Sequence, residues 1–487
     1  RPFSPSNWPA GAQTTRMSKT SFELAPARGP GRIARQVGKL PRAASTMSVQ
    51  KWIDQGRPTK DDEARQKQLV LLLVAIGYGS SMLAFRPTVM MSLPTVLAEL
   101  GLSPEDGGIL LSTCQGAYMI SKPLAQVLSD SVEGPVLLRF SLICTAVACC
   151  AVPLARERWQ LQALLFALMV AQAPHAPAAM RIVANWFQPE ERGKAFSAIN
   201  GSVNVVSCLV PVLVNTVLLK SSWHVLYVGI GIATLGVALL QLPFLSDRPP
   251  SESEKDTDVK KQASGNAEFR AVDLLRNGAL IGCGLLFALL YGIRFGMEGW
   301  IGTFLKETAT HPGTPEAAGG TTAMFLFWWQ VGGFFGSFLL GPASDYFGGQ
   351  TLPLAVVCAM VLSGAAGVIH SIDHAYLQAT YLLPAAAAAS GACVYGLRLL
   401  FNLFTRAQVP RSVAGKADAL VSSLAEMGGV LAGFPLISLV TYSGSWSSFT
   451  AAMIALSGLL CVGTAALALR CPASLSGAPT EAAKKTQ

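Results

Sequence analysis

Residues 289–307 read LLYGIRFGMEGWIGTFLKE, and residues 83–100 read LAFRPTVMMSLPTVLAEL. Each is an apolar segment with one arginine inside it, Arg294 and Arg86. Each arginine is followed 13 residues later by a glutamate, Glu307 and Glu99. An arginine in the interior of a membrane costs on the order of 3 kcal/mol on insertion scales, so it is rarely idle. The two occupy matching places in the two halves of the chain. A matched pair suggests one shared anionic ligand at the interface of two repeats, because the planar guanidinium offers an oxyanion two parallel charge-assisted hydrogen bonds. The alternatives are an ion pair with a nearby acid, or snorkelling to the interface.

The rest of the chain has the same character. Of 487 residues 51% are hydrophobic and only 13% charged, against about 25% charged in a soluble domain. Mean hydropathy is positive. Apolar stretches begin near residues 68, 107, 135, 159, 194, 223, 277, 321, 351, 376, 412 and 445. Each is long enough to cross a bilayer as a helix of about 20 residues. The expected class is therefore all-α, with twelve transmembrane helices in two six-helix halves, since lipid satisfies no backbone groups and barrel alternation is missing. Arg192, Lys194, Lys255, Lys260, Lys261, Arg270, Arg276, Arg406, Arg411 and Lys416 fall in the even-numbered connections. That bias places both termini and the central loop on the positive-inside face.

The halves repeat. Ser129-Asp130 closes the second span and Ser344-Asp345 the eighth; Gly193-Lys194-Ala195 opens the fifth and Gly415-Lys416-Ala417 the eleventh. The expected organisation is a basic segment over 1–66, six-helix halves over 67–246 and 276–471, a polar loop over 247–275 and a polar tail over 472–487. Residues 1–60 hold 11 Lys or Arg against 2 acids. That composition looks like an organellar transit segment, plastid or mitochondrial, with a disordered tail and an endoplasmic reticulum location as the alternatives. The net charge of +9 is this bias, not a folded nucleic-acid-binding face. The ten cysteines fall almost entirely in apolar segments without a CxxC, and read as buried apolar side chains rather than disulfides or a metal site. There is no P-loop, metal cluster or nucleophile elbow, so an enzyme is not expected, nor a cofactor.

Several stretches resemble the major facilitator superfamily. GPASDYFG at 341–348 is similar to its loop signature G-x-x-x-D-R-x-G, with a weaker copy ending at Asp130 and Ser131. Within it, AYMISKP at 117–123, Phe85-Arg86 followed by Pro94, YGIRFG at 291–296 followed by Trp300, and Asn200 with Asn204 resemble the organophosphate:phosphate antiporters. GGVLAGFP at 428–435 followed by Ser445-Trp446 resembles their glucose-6-phosphate transporter branch. The resemblance implies exchange of a phosphate ester for inorganic phosphate by a carrier acting as a monomer in a lipid bilayer. It also implies phosphate binding by Arg86 and Arg294 with Lys122 assisting, and Tyr118, Tyr291 and Tyr395 near the site. The family's pattern is altered at Val203, Glu298, Gln330, Arg398 and Glu426.

The residues themselves leave alternatives. Lys122 either counters phosphate or snorkels at a helix end. Glu298, four residues after Arg294, either pairs with it or faces an aqueous vestibule. Arg398 and Glu426 are expected to pair with each other; otherwise Arg398 reads a second anionic group, or Glu426 carries a coupling proton. Asn200 and Asn204 share a helix face and either bind substrate hydroxyls or join helices. His175, between Pro174 and Pro177, belongs to a kinked helix end. Beside antiport stand a proton- or sodium-coupled organic anion carrier and a sugar-phosphate sensor.

Overall fold

The computed structural model describes residues 60–84, 86–247, 274, 276–308, 315–347, 349–371, 381–409 and 413–471. The expected transit segment, central loop and tail lie almost wholly outside them. The helices are α1 Lys60–Ser81, α2 Arg86–Leu100, α3 Pro104–Ser131, α4 Gly134–Ala151, α5 Arg158–Gln172, α6 His175–Trp186, α7 Pro189–Lys220 and α8 Trp223–Leu240. They continue as α9 Gly278–Glu307, α10 Pro315–Tyr346, α11 Thr351–Ser371, α12 Leu382–Ala407, α13 Ala414–Leu431, α14 Phe434–Ser443 and α15 Ser447–Arg470. Joined end to end, α1 with α2, α5 with α6 and α13 with α14, they make twelve rods. The first begins at Lys60, before the boundary expected at 67, because the polar turns of residues 60–67 continue the helix past its apolar part.

Ten rods are long and apolar enough to cross a membrane. The other two are α1–α2 and α3, which carry Arg86 and Lys122 inside them. Large apolar side chains face outward on many rods, among them Phe140, Ile232, Val361 and Val462. In water such faces would be a liability; against lipid tails they are the expected surface. All ten cysteines are free thiols.

The broken rods follow from proline and glycine. Pro87 stands in the first turn of α2, where its missing N–H and its ring interrupt the helix coming from α1. The carbonyl of Ala84 freed at that break accepts from Gln172 Nε2 at 2.7 Å. Gln172 ends α5 at the second break, where His175 Nδ1 donates to the Gln172 carbonyl at 2.9 Å. At the third break, Trp300 Nε1 donates to Ala432 O at 2.8 Å, Ser112 Oγ donates to Val430 O at 2.7 Å, and Phe434 N–H donates to Ser112 Oγ at 2.8 Å. The carbonyls named at these breaks are thereby satisfied by side chains, at the first and third breaks from a neighbouring rod and at the second from His175 of the same rod.

The two halves meet tightly at one end. There α3 packs on α13 and α14, α2 on α9, and α7 on α10. A Cβ on Gly433 would lie 2.6 Å from Ser112 N and 2.7 Å from Gly108 O, so only glycine permits this approach of α3 to the third break. Gly101, with φ 64°, ends α2 in a left-handed turn. Ser103 and Asp106 then form a capping box that starts α3. A hydrogen bond from Arg158 holds the Asp106 carboxyl below its usual range. One apolar core runs through both halves at this end, joining Leu93, Leu97 and Leu111 to Trp300, Phe304 and Ile437. A second core, around Val74, Leu138, Ile182 and Trp186, belongs to the first half alone. It lies at the opposite end, where the halves part and a cavity forms between them.

Candidate substrate-binding site

A cavity of about 410 Å³ lies between the halves, within the range of small-molecule sites. One wall comes from the first half: Tyr78 of α1, Tyr118 and Lys122 of α3, His175 of α6, and Asn200 and Asn204 of α7. The other comes from the second half: Tyr291, Arg294 and Glu298 of α9, Gln330 of α10, Tyr395, Arg398 and Asn402 of α12, and Glu426 of α13. Helical spacing explains these sets. Residues three or four apart share a face. Tyr291, Arg294 and Glu298 are so spaced, as are Tyr395, Arg398 and Asn402, Tyr118 and Lys122, and the two asparagines.

Arg294 is the most constrained charge. Its Nε donates to Glu298 Oε1 at 3.2 Å, and its Nη2 donates to the Tyr395 hydroxyl at 2.8 Å. Its guanidinium carbon lies 4.5 Å from the ring centre of Tyr395, 5.1 Å from that of Phe295 and 5.8 Å from that of Tyr291, within cation–π range. Of its five N–H donors, those not held by Glu298 and Tyr395 have no partner among the described residues and can meet a ligand. Glu298 is held in turn. Its Oε1 also accepts from Trp329 Nε1 at 3.1 Å and lies 3.5 Å from Gln330 Nε2. The Tyr395 hydroxyl donates to Gln330 Oε1 at 2.7 Å. Glu298 Oε2 is buried with no hydrogen-bond partner among the described residues.

On the facing wall Lys122 Nζ lies 3.6 Å from Glu426 Oε1 and 5.8 Å from the centre of the Tyr118 ring. This corrects the pairing expected between Arg398 and Glu426. Helix α13 packs chiefly against α9 of its own half and α3 of the other, and only lightly against α12. Its acid therefore meets the lysine of α3. Arg86 opens α2 beside the cavity-lining Pro87; its side chain lies outside the described structure. The other residues singled out from the sequence, Lys122, Tyr118, Tyr291, Tyr395, Asn200, Asn204, Glu298, Arg398 and Glu426, all line the one cavity.

Several residues escaped the sequence reading. Tyr78 and Asn402 line the cavity, and Trp329 holds Glu298. Asn402 was legible as the next residue on the face of Tyr395 and Arg398. Trp329 was not, since one tryptophan in an apolar helix carries no sign of which carboxylate it will meet.

The family described as Major Facilitator Superfamily matches residues 69–391. The "Membrane sensor protein UhpC" of Salmonella typhimurium is 26% identical over 406 residues, covering 80% of this chain and 89% of that protein. A "Probable hexose phosphate transport protein" of Chlamydia pneumoniae is 25% identical, over 76% of this chain and 84% of its own. The "Phosphoglycerate transporter protein" of Salmonella typhimurium is 24% identical, over 78% and 84%. Among solved structures, a bacterial homologue of the human lysosomal transporter Spinster, inward-facing and unoccupied, superimposes with a TM-score of 0.66 at 14% identity. It covers 85% of this chain and 99% of that one. The nucleoside transporter NupG gives 0.63 at 12% identity, over 83% and 98%. These are transport proteins and a membrane sensor, not enzymes.

Proposed function

This chain belongs to the Major Facilitator Superfamily, and from that premise we propose that it exchanges a phosphorylated metabolite for inorganic phosphate by alternating access. The observation that carries the reading is Arg294, held by Glu298 and Tyr395 with donors left over, in a cavity that Lys122 enters from the opposite half. A fixed fork and an ammonium from the opposite half suit a phosphoryl group, which accepts from both. Arg86 supplies the second guanidinium on sequence grounds. Phosphate bridging the halves draws them together at the open end. In an empty site the guanidiniums of Arg86 and Arg294 repel each other, which makes exchange faster than one-way leak. The likeness to hexose phosphate and phosphoglycerate transport proteins supports the substrate class.

The carrier acts as a monomer in this reading, because one chain contributes both walls. The basic, acid-poor residues 1–60 support an organelle envelope with both termini on the positive-inside face. A reporter carrying these residues should enter plastid or mitochondrion; a diffuse reporter ends that assignment.

The likeness to UhpC supports a second reading, a sensor that binds a phosphate ester without moving it. Counterflow separates the two. Purified protein in liposomes loaded with phosphate should take up radiolabelled phosphate, and sugar phosphates should trans-stimulate its exit. Binding without counterflow identifies a sensor. Uptake driven by a proton or sodium gradient without internal phosphate identifies a coupled anion carrier.

A further inference from the structure

Five charged side chains of the described structure line the cavity: Lys122, Arg294, Glu298, Arg398 and Glu426. Four are matched in pairs, Arg294 with Glu298 at 3.2 Å and Lys122 with Glu426 at 3.6 Å. Arg398 is the fifth. It has no ion pair or hydrogen bond among the described residues, although it stands inside α12, a helix apolar enough to cross the membrane, more than two turns from its end. It is more exposed than Arg294, which lines the same cavity. A guanidinium at membrane depth without a protein partner is costly, and such residues mark the path of a substrate or ion.

Its position says what it meets. Arg398 lies three residues after Tyr395, whose hydroxyl is held by Arg294 Nη2 at 2.8 Å, and four before Asn402. It therefore stands about one helical turn, roughly 5 Å along the axis, from Tyr395, on the same face of the helix. A two- or three-carbon skeleton bridges that distance. Among the described side chains the unmatched charge is single. A carboxylate matches it, whereas a second phosphate carries about −1.5 to −2 near neutral pH. Asn402 and Tyr78 add neutral polar groups to the surrounding wall.

We propose that Arg398 recognises a carboxylate at the far end of the substrate, so that the favoured phosphate ester is a short phosphorylated carboxylic acid rather than an uncharged sugar phosphate. The assignment rests on the phosphate-exchange reading above and names its substrate class.

The matched probes are 3-phosphoglycerate and glycerol 3-phosphate, which share the phosphate and the three-carbon skeleton and differ in a carboxylate against a hydroxymethyl group. Both compete against labelled phosphate in the wild-type counterflow assay. The wild-type protein should favour 3-phosphoglycerate at least about tenfold, equivalent to about 1.4 kcal/mol. Arg398→Gln should collapse that ratio to near one. Arg398→Lys, which keeps the charge and loses the fork, should give an intermediate ratio. A wild type that favours glycerol 3-phosphate, or shows no preference, overturns the proposal whether or not the variants fold. So does an Arg398→Gln protein whose ratio matches wild type, or one that weakens both esters and phosphate equally. Failure of wild-type phosphate counterflow itself falls on the exchange reading and is seen before any ester is added.

Discussion

The two walls of the cavity are built from matching helices and hold their charges in opposite ways. In the second-half wall, Arg294 runs through an unbroken α9, is only 15% exposed, and is fixed by a carboxylate, a phenol and three aromatic rings. In the first-half wall, rod 1 is broken immediately before Arg86. The lysine of that wall is 31% exposed and reaches across the cavity to an acid of the other half. One wall is an anchor set before any ligand arrives. The other is joined to it by an ion pair, which in the proposed exchange gives way to the incoming phosphate. A preformed guanidinium reduces the ordering cost of binding, and a movable partner lets binding in the cavity be felt as a change between halves.

The sharpest break of this comparison is Arg294→Gln. Glu298 is 3% exposed, and removing its cation strands a buried carboxylate. The expected loss is about 3–5 kcal/mol of stability, read as a large fall in melting temperature in detergent. Arg294→Gln combined with Glu298→Gln should regain the stability and still fail in phosphate exchange. If Arg294→Gln alone melts like wild type, the anchor wall is not preformed.

Tyr395→Phe sharpens the same point at a smaller scale. The hydroxyl accepts from Arg294 and donates to Gln330, so its loss leaves two buried polar groups short of a partner. The expected cost is about 1–3 kcal/mol, with exchange slowed several-fold because the guanidinium is no longer held in register. Normal exchange kinetics in this variant would assign the orientation of Arg294 to Glu298 alone.

Lys122→Gln tests the other wall. The pair at 3.6 Å joins a lysine that is 31% exposed to a buried glutamate, so its loss should cost roughly 1–2 kcal/mol, between a surface pair and a fully buried one. Melting should therefore fall less than in Arg294→Gln, while phosphate exchange falls about tenfold, the equivalent of about 1.4 kcal/mol. A stability loss as large as that of Arg294→Gln would make the two walls equivalent and remove the distinction drawn here.

The fold was legible because the membrane leaves few choices. Long apolar segments can only be helices, and Pro87, Pro174 and the Gly433–Pro435 stretch announce where three rods break. Much of the site was legible too, because Arg294 with Glu298 and Tyr118 with Lys122 recur at helical spacing on single helices. What failed was pairing between helices. Arg398 and Glu426 stand in consecutive rods, and nearness along the chain made them look like partners. Facing is decided by packing, and α13 turns its acid towards α3 of the other half. Spacing within a helix is written in the sequence; the rotation of one helix against another is a result of the whole bundle.

Asn200 and Asn204 give the smallest and most discriminating effect. Both lie on the cavity-facing side of α7, and neither has a hydrogen-bond partner among the described residues. An amide joining helices would be buried and bonded, and its loss would destabilise the protein. An amide reserved for a ligand is free in the empty protein. Asn200→Ala and Asn204→Ala should therefore melt within about 0.5 kcal/mol of wild type, as surface substitutions do. The effect should appear in the ratio of apparent affinities for a hydroxyl-bearing phosphate ester and for inorganic phosphate. One neutral hydrogen bond contributes about 0.5–1.5 kcal/mol, so that ratio should fall roughly two- to tenfold. If both variants lose stability and leave the ratio untouched, the first-half wall is held together by its asparagines, and the looseness ascribed to it is wrong.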